Sequence, residues 1–304
     1  MVDYQRPLSF GLSVEPSATS LDRIAALTDA AEAGGLDLIS VQDHPYQPGF
    51  LETWTLISFL AARTERVRFF PGVANLPLRA PAMLAKAAAS LDLLSGGRVE
   101  LAVGGGSYTD AITGMGGPLR TGSGLVESTE EAIEVIRLAW QDQPATFTGS
   151  HYRLQDHQPG PSPAHPIELW LGAFRNRMLA LTGRRSDGWV APLNIYLPPE
   201  NVPAAQQVID DAARAAGREP ARIRRIYNVM ATVGQADASE GVSGSPEELA
   251  EIFAGWATEL GFDTFVFWPT DPTPEQVRLF ADEVVPLTRE LVAGIRSDST
   301  ATTP

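Results

Sequence analysis

The feature that most constrains this chain is a rhythm. Short, nearly continuous apolar runs alternate with amphipathic stretches along its length. The runs are residues 8–14 (LSFGLSV), 36–41 (LDLISV), 67–74 (VRFFPGVA), 98–103 (RVELAV), 167–171 (IELWL), 188–191 (GWVA), 223–233 (IRRIYNVMATV) and 262–267 (FDTFVF). Each has strand length and is too uniformly apolar to leave one face in water. Between and after them, apolar residues recur at helical spacing over 21–33, 52–63, 81–94, 127–140, 175–184, 200–216, 247–260 and 275–292. Thr19 or Ser20 caps the first helix and Gly34-Gly35 ends it. Ser245-Pro246-Glu247-Glu248 and Thr273-Pro274-Glu275-Gln276 each place a capping hydroxyl, a proline in the first turn and Glu or Gln three residues on.

Eight strand–helix units in 304 residues predict an α/β fold, a (β/α)8 TIM barrel whose parallel strands are buried on both faces. An open doubly wound sheet is the competing architecture. No Pro/Ser-rich linker divides the chain, so residues 1–294 read as one barrel domain. The segment 142–166, rich in Pro, Gly and His, reads as an insertion after the fourth helix with a small hairpin at 146–154. Residues 295–304 read as a disordered tail.

The chain carries 37 acidic and 23 basic residues, a net charge of −14. That balance argues against nucleic acid or an anionic membrane as partner, since both require a basic footprint. The single lysine, Lys86, falls in an Ala-rich helix and reads as a surface residue. The absence of cysteine excludes disulfides, thiolate metal sites, iron–sulfur clusters and cysteine nucleophiles. The opening residues have no apolar signal core, and no run of about 18 apolar residues occurs. The expected location is the cytoplasm.

A barrel of this kind carries its site on the loops after the strands. After the second strand comes Gln42-Asp43-His44-Pro45-Tyr46, where a histidine beside a carboxylate suits general acid–base work. The competing reading is a loop histidine packed on proline. After the third strand, Gly72-Val73-Ala74-Asn75 has the small side chains that let a flat ligand approach the backbone, or is a plain strand exit. After the fourth, Gly104-Gly105-Gly106-Ser107 offers backbone amides. The dinucleotide fingerprint would need glycine where Thr109 stands, and no phosphate-loop Gly-Lys-Ser/Thr is present. After the fifth, Gly172-Ala173-Phe174-Arg175 opens into a helix: a phosphate seat built from amides, dipole and arginine, or a capped helix with surface arginines. Tyr46 and Trp268 are candidates for the substrate pocket. His151, His157 and His165, with Asp156, fall in the insertion at spacings that match no metal pattern, so a solvated loop and no metal are expected. A non-redox barrel enzyme would draw on Asp43, Glu100 and His44; no Gly-x-Ser-x-Gly elbow exists.

The order of these pieces carries a resemblance. Val41-Gln42-Asp43-His44, Thr64-Glu65-Arg66-Val67-Arg68, the run from Ala87 through Ser95-Gly96-Gly97-Arg98 to Leu101, Ser186-Asp187-Gly188-Trp189 and Gly244-Ser245-Pro246-Glu247-Glu248 together resemble the bacterial luciferase-like monooxygenase family. The similarity runs from about residue 8 to 291 and is most specific over 64–106. It implies a barrel with an insertion after the fourth helix and a reduced cofactor, FMN or the deazaflavin coenzyme F420. It implies a non-proline cis peptide near Gly72-Val73-Ala74 backing the cofactor's middle ring. Gly104–Ser107 would flank that ring, Gly172–Arg175 would hold the phosphate, and His44 would face the reacting edge. Some deazaflavin-using members carry a glutamate as proton donor where this chain has Ser107, leaving Asp110 or Asp43 as substitutes. The activity expected first is oxygenation of a small organic substrate with reduced FMN. Hydride transfer with coenzyme F420 is the alternative, and a non-catalytic barrel subunit the third reading. A separate flavin or F420 reductase and a second copy of the chain are the expected partners.

Overall fold

The structure, a computed structural model, describes residues 3–234 and 240–301. Eight parallel strand positions form the barrel: β1 (Ser9–Val14), β2 (Leu38–Val41), a third split into β3 (Arg68–Pro71) and β4 (Ala74–Asn75), β5 (Leu101–Gly104), β8 (Leu169–Gly172), β9 (Gly188–Leu193), β10 (Arg224–Val233) and β12 (Thr264–Pro269). Hydrogen bonds link them in the order β3-β2-β1-β12-β10-β9-β8-β5-β4. Because β3 and β4 are halves of one strand, that order is a ring, and Phe69 closes it by bridging to Val99. The open-sheet alternative is thereby excluded. A short β11 (Val242–Gly244) extends the distal end of β10.

Alternation along the strands sorts their side chains into two separate cores. Phe10, Leu12, Ile39, Val103, Leu171 and Phe265 belong to the large core beneath the helices. Leu38, Phe70, Ala102, Trp170, Val190, Ile226 and Val266 form a second cluster, the barrel lumen. β1 contributes Gly11 at this level, where a Cβ would lie 2.9 Å from the Leu38 Cβ. One step below on the same faces lie charges: Arg68 pairs with Glu100, and Arg224 Nε bonds Glu168 Oε2 at 2.9 Å. One step above lie Ser13, Ser40, Gly72, Gly104, Gly172, Asn228 and Trp268. The lumen therefore has an ion-paired base, an apolar middle and a small, polar top.

The outer ring is α1 (Leu21–Ala33), α2 (Thr53–Ala61), α3 (Pro81–Ser95), α5 (Gly122–Ala139), α6 (Asn176–Arg185), α7 (Val202–Ala215), α8 (Pro246–Thr258) and a closing run. That run comprises α9 (Pro274–Leu279), a π-helical turn (Phe280–Val284) and α10 (Val285–Ala301). A further short helix, α4 (Thr109–Gly114), lies in the loop after β5. Ser245 and Glu248 form a complete capping box. Thr273 Oγ1 accepts from Gln276 N at 3.3 Å, but the Gln276 amide reaches back to Val233 instead of completing a box. Ser20 stands at the start of α1 without capping it, because its hydroxyl accepts from Arg23 at 3.0 Å.

The insertion carries an antiparallel hairpin, β6 (Ala145–Thr148) and β7 (Arg153–His157). Its tip is tied to α5: the Glu131 carboxylate accepts from the backbone N–H of Ser150, His151 and Tyr152 at 2.7, 2.8 and 2.9 Å. Its root is tied to α3, where Asp92 accepts from Ala164 N at 2.7 Å and Lys86 Nζ donates to Gly160 O at 3.1 Å. His165 departs from the solvated loop expected of it. Its Nδ1 lies 3.0 Å from buried Asp92 and its Nε2 3.3 Å from buried Glu100, so two carboxylates fix the ring.

The expected tail is corrected too. α10 runs on to Ala301, and within it the Arg296 fork holds both Asp3 oxygens at 2.9 Å and the Arg6 carbonyl at 2.9 Å. Residues 302–304 lie outside the described residues. Among the described residues, no helix is long and apolar enough to cross a membrane.

Two glycines test this packing with opposite signs. A Cβ at Gly183 on α6 would lie 2.2 Å from the Ile209 carbonyl of α7, so Gly183→Ala forces backbone apart and lowers unfolding free energy by about 1–3 kcal/mol. Gly255 within α8 has nothing within 4 Å, so Gly255→Ala raises stability by about 0.5–1 kcal/mol. Urea denaturation of the two variants measures both; equal midpoints would contradict the packing.

Candidate active site

All eight strands point their carboxyl ends at one mouth, and the loop after β2 sets its chemistry. Thr53, the first residue of α2, fixes that loop by donating its hydroxyl to Gln42 O at 2.7 Å. Asp43 is buried, and both its oxygens are committed. Arg79 grips it in a fork, Nη2 to Oδ1 at 2.7 Å and Nε to Oδ2 at 2.9 Å, while Asn75 N donates to Oδ2 at 2.8 Å. Arg79 also reaches Glu52 at 2.7 Å. Asp43 therefore pins β4 to the β2 loop, and its charge acts on His44.

His44 and Tyr46 come together. His44 Nδ1 lies 2.5 Å from the Tyr46 hydroxyl. The two rings and that of Tyr108 form a trio with centroids 5.5–5.7 Å apart. Burial holds the His44 imidazole below the ordinary histidine range, against the opposing pull of the Asp43 charge. Burial, reinforced by Tyr108 and Asp43, pushes the Tyr46 phenol above its usual range. Tyr46 thus keeps its proton, and a neutral His44 that donates its Nδ1–H to the Tyr46 hydroxyl presents the free lone pair of Nε2 to the mouth.

Val73 builds the floor. The Gly72–Val73 peptide is cis, as the resemblance implies. A Cβ at Gly104 would lie 2.7 Å from Val73 Cγ2, and one at Gly172 2.9 Å from the same methyl. Gly104 and Gly172 are therefore small to admit Val73, whose isopropyl group forms a ledge across the mouth. Gly105 and Gly106 are packed as well, against Leu125 and Ile112, and Gly106 has φ +82°. Beyond them Ser107 and Asp110 are exposed, so the carboxylate of Asp110 sits in water and that of Asp43 in an ion pair. Neither is a buried acid free of an ion pair. On the far side, Ala173 O accepts from Trp189 Nε1 at 2.9 Å, Phe174 is exposed, and exposed Arg175 stands at the start of α6. The first N–H groups of α6 point out of the helix there.

Several mouth residues escape sequence reasoning. Ser13 Oγ, Ser40 Oγ and Asn75 Oδ1 are buried with no hydrogen-bond partner among the described residues. Asn228 orients the candidate pocket wall, accepting from Trp268 Nε1 at 3.0 Å while donating to Ala191 O at 2.7 Å. Asn194 accepts from Met230 N at 2.8 Å. The signal for Ser13, Ser40 and Asn228 is strand parity: each lies two residues beyond a lumen-level residue, Gly11, Leu38 or Ile226. Three unsatisfied polar atoms beside an apolar ledge fit a flat heterocycle with a polar edge. Glu100, by contrast, precedes β5 at the opposite end of the barrel, so Asp43, His44 and Glu100 do not form one site. Among the described residues, no group of three or more His, Asp or Glu side chains forms a potential metal site.

A family model described as luciferase-like monooxygenase matches residues 8–252. The F420-dependent hydroxymycolic acid dehydrogenase of Mycobacterium tuberculosis is 30% identical over 243 residues, covering 77% of this chain and 66% of that protein. The chain thus spans just under two thirds of that relative. An F420-dependent secondary alcohol dehydrogenase in complex with an F420–acetone adduct shares the fold, with TM-score 0.80 and 18% identity over 93% of this chain and 99% of that one. So does a type II Baeyer–Villiger monooxygenase, the oxygenating constituent of 3,6-diketocamphane monooxygenase from Pseudomonas putida, in complex with FMN, with TM-score 0.74 and 19% identity over 92% and 99%.

The Asp43–Arg79 fork gives a direct test. Asp43→Asn leaves the guanidinium half-paired in a largely buried place and lowers stability by about 3 kcal/mol. Thermal unfolding reads the loss; a variant as stable as the parent would remove Asp43 from its positioning role.

Proposed function

The chain belongs to the luciferase-like monooxygenase family, and from that premise we propose that it uses coenzyme F420 to move hydride between the cofactor and a small organic substrate bearing a hydroxyl or carbonyl group. Membership makes it an oxidoreductase dependent on a flavin or F420. Oxygenation with reduced FMN, the activity expected first from the sequence, becomes the second reading. The fold accommodates both cofactors, and the named F420-dependent relative tips the balance.

The observation that carries the reading is neutral His44, held by the Tyr46 hydroxyl at 2.5 Å. When bound, the deazaflavin ring accepts or donates hydride. Val73 would lie beneath that ring, with Ser13, Ser40 and Asn75 at its polar edge. Gly104–Ser107 would flank it, and Gly172–Arg175 would receive its phosphate. His44 would take the substrate hydroxyl proton in oxidation and return it in reduction, with Tyr46 fixing the ring. Tyr108, Met115, Leu119, Phe174 and Tyr196 are exposed apolar side chains on loops that follow strands. They favour a substrate with an apolar body over a sugar phosphate.

We also propose a homodimer. Phe59 on α2 and Met83 and Leu94 on neighbouring α3 leave apolar side chains uncovered on the outside of the barrel. Light scattering should return twice the chain mass, and Leu94→Glu should halve it.

Fluorescence titration with coenzyme F420 and with FMN tests the cofactor: saturable F420 binding at least tenfold tighter than FMN is expected, and the reverse order reinstates oxygenation. His44→Ala should lower kcat for secondary-alcohol oxidation by about 100-fold or more while cofactor affinity stays within threefold. Because burial lowers the His44 pKa, its base form persists as pH falls below about 6.5, so the acid limb of the rate profile lies below that value. The same direction means that protonating His44 disfavours the folded state, so its stabilising contribution is present at neutral pH and lost on acidification. An acid limb unchanged in the alanine variant would sink its assignment.

A further inference from the structure

The opposite end of the barrel holds a cavity of about 230 Å³, lined by Ser9, Asp37, Arg66, Arg68 and Arg224 with Trp170 behind them. Its position is dictated by the strand starts: Arg68 begins β3, Arg224 begins β10, and both stand one step below the apolar lumen layer. Three guanidinium groups around one small cavity need a reason, because like charges repel and buried ones are costly.

The acids nearby meet that need only in part: Arg68 pairs with Glu100, Arg224 with Glu168 and Asp263, and Arg66 Nε lies 3.8 Å from Glu32. Asp37 accepts from Phe10 N at 2.8 Å and Arg289 at 3.0 Å. Glu32 accepts from the backbone N–H of Glu65, Arg66 and Val67 at 2.9–3.0 Å. Glu100 accepts from Glu168 N at 2.7 Å, in addition to Arg68 and His165. Glu168 accepts from Trp170 Nε1 at 2.8 Å and Arg224 Nε at 2.9 Å, and Asp263 from Arg225 N at 2.9 Å. Most acceptor positions, Asp37 Oδ1 excepted, are taken by the protein's own N–H groups, while guanidinium donors remain. Arg66 Nη1, Arg68 Nη1 and Arg224 Nη2 each lack a protein acceptor among the described residues. Burial and the like charge of Arg224 both pull the Arg68 guanidinium below its usual range against the charges of Glu168, Asp92 and Asp37, while Arg224, despite its burial, is raised by Glu168 and Asp263.

We propose that this amino-terminal cavity is a binding site for a small dianionic oxyanion, such as phosphate or a short dicarboxylate, held by Arg66, Arg68 and Arg224. Planar guanidinium forks match oxyanion geometry, and the cavity admits a group of that size but not a whole nucleotide cofactor. The site lies across the apolar lumen from His44, so its occupant takes no part in the chemistry at the mouth. It ties the starts of β3 and β10 together and stabilises the closed barrel by linkage.

Isothermal titration of the full chain with inorganic phosphate, and separately with malonate, tests the site at constant ionic strength. One saturable site for either anion, with a rise in Tm, is expected. Arg66→Gln removes a rim donor while sparing the deeper ion pairs, and should weaken binding at least tenfold. Arg224→Gln should do the same if it folds. Arg175→Gln, which alters only the proposed cofactor-phosphate seat, should leave the affinity within twofold. The proposal is overturned if neither anion binds saturably, if Arg66→Gln binds like the parent, or if the Arg175 variant alone loses binding.

Discussion

Everything in this protein rests on the period-two alternation of side chains along eight parallel strands. Once the barrel closes, residues spaced by two on each strand fall into stacked layers, and each layer takes one character. Arg68, Glu100, Glu168 and Arg224 share the base, Leu38, Phe70, Trp170 and Ile226 the middle, and Ser13, Ser40, Gly104 and Gly172 the top. A one-residue slip of any strand would drive charges into the helix-facing core and apolar side chains into the ion-paired base. Register, not any single contact, keeps the two ends chemically distinct.

The apolar middle layer separates two unlike environments. Above it, hydroxyls and amides without partners surround a protein ledge, a setting suited to a flat polar ring. Below it, arginines and carboxylates interlock, and the insertion's His165 joins them through Asp92 and Glu100. Trp170 spans the divide: its ring belongs to the middle layer and its N–H bonds Glu168 in the base at 2.8 Å. The acidic net charge of −14 is thus compatible with local clusters of unpaired cationic donors, because most carboxylates are exposed or already committed.

Much of the fold was legible in the sequence because barrel strands, buried on both faces, are apolar runs that stand out from amphipathic helices. Each expected strand overlaps an observed one, and the hairpin lies inside the expected insertion. The site was legible only in part. The loops named from sequence do surround the mouth, but the roles of their residues depend on side chains far away in the chain. Asp43 neighbours His44 in sequence, but Arg79, 36 residues on, claims its carboxylate. The glycines looked like open backbone, yet Gly104 and Gly172 are small because Val73 stands over them. Ser13 and Ser40 carried no motif; only the knowledge of which strand face turns inward marks them. A run of small polar residues gives no hint that Arg296 reaches Asp3 at the other end of the chain.

The hairpin's three anchor points have an evolutionary consequence. Glu131, Asp92 and Lys86 all belong to the scaffold helices, and all three bond backbone atoms at the hairpin's tip and root. Backbone groups are the same whatever side chains the hairpin displays. The scaffold therefore holds the hairpin largely by its main chain, as a bracket holds an interchangeable part, with the His165 ring between Asp92 and Glu100 as a side-chain tie at the root.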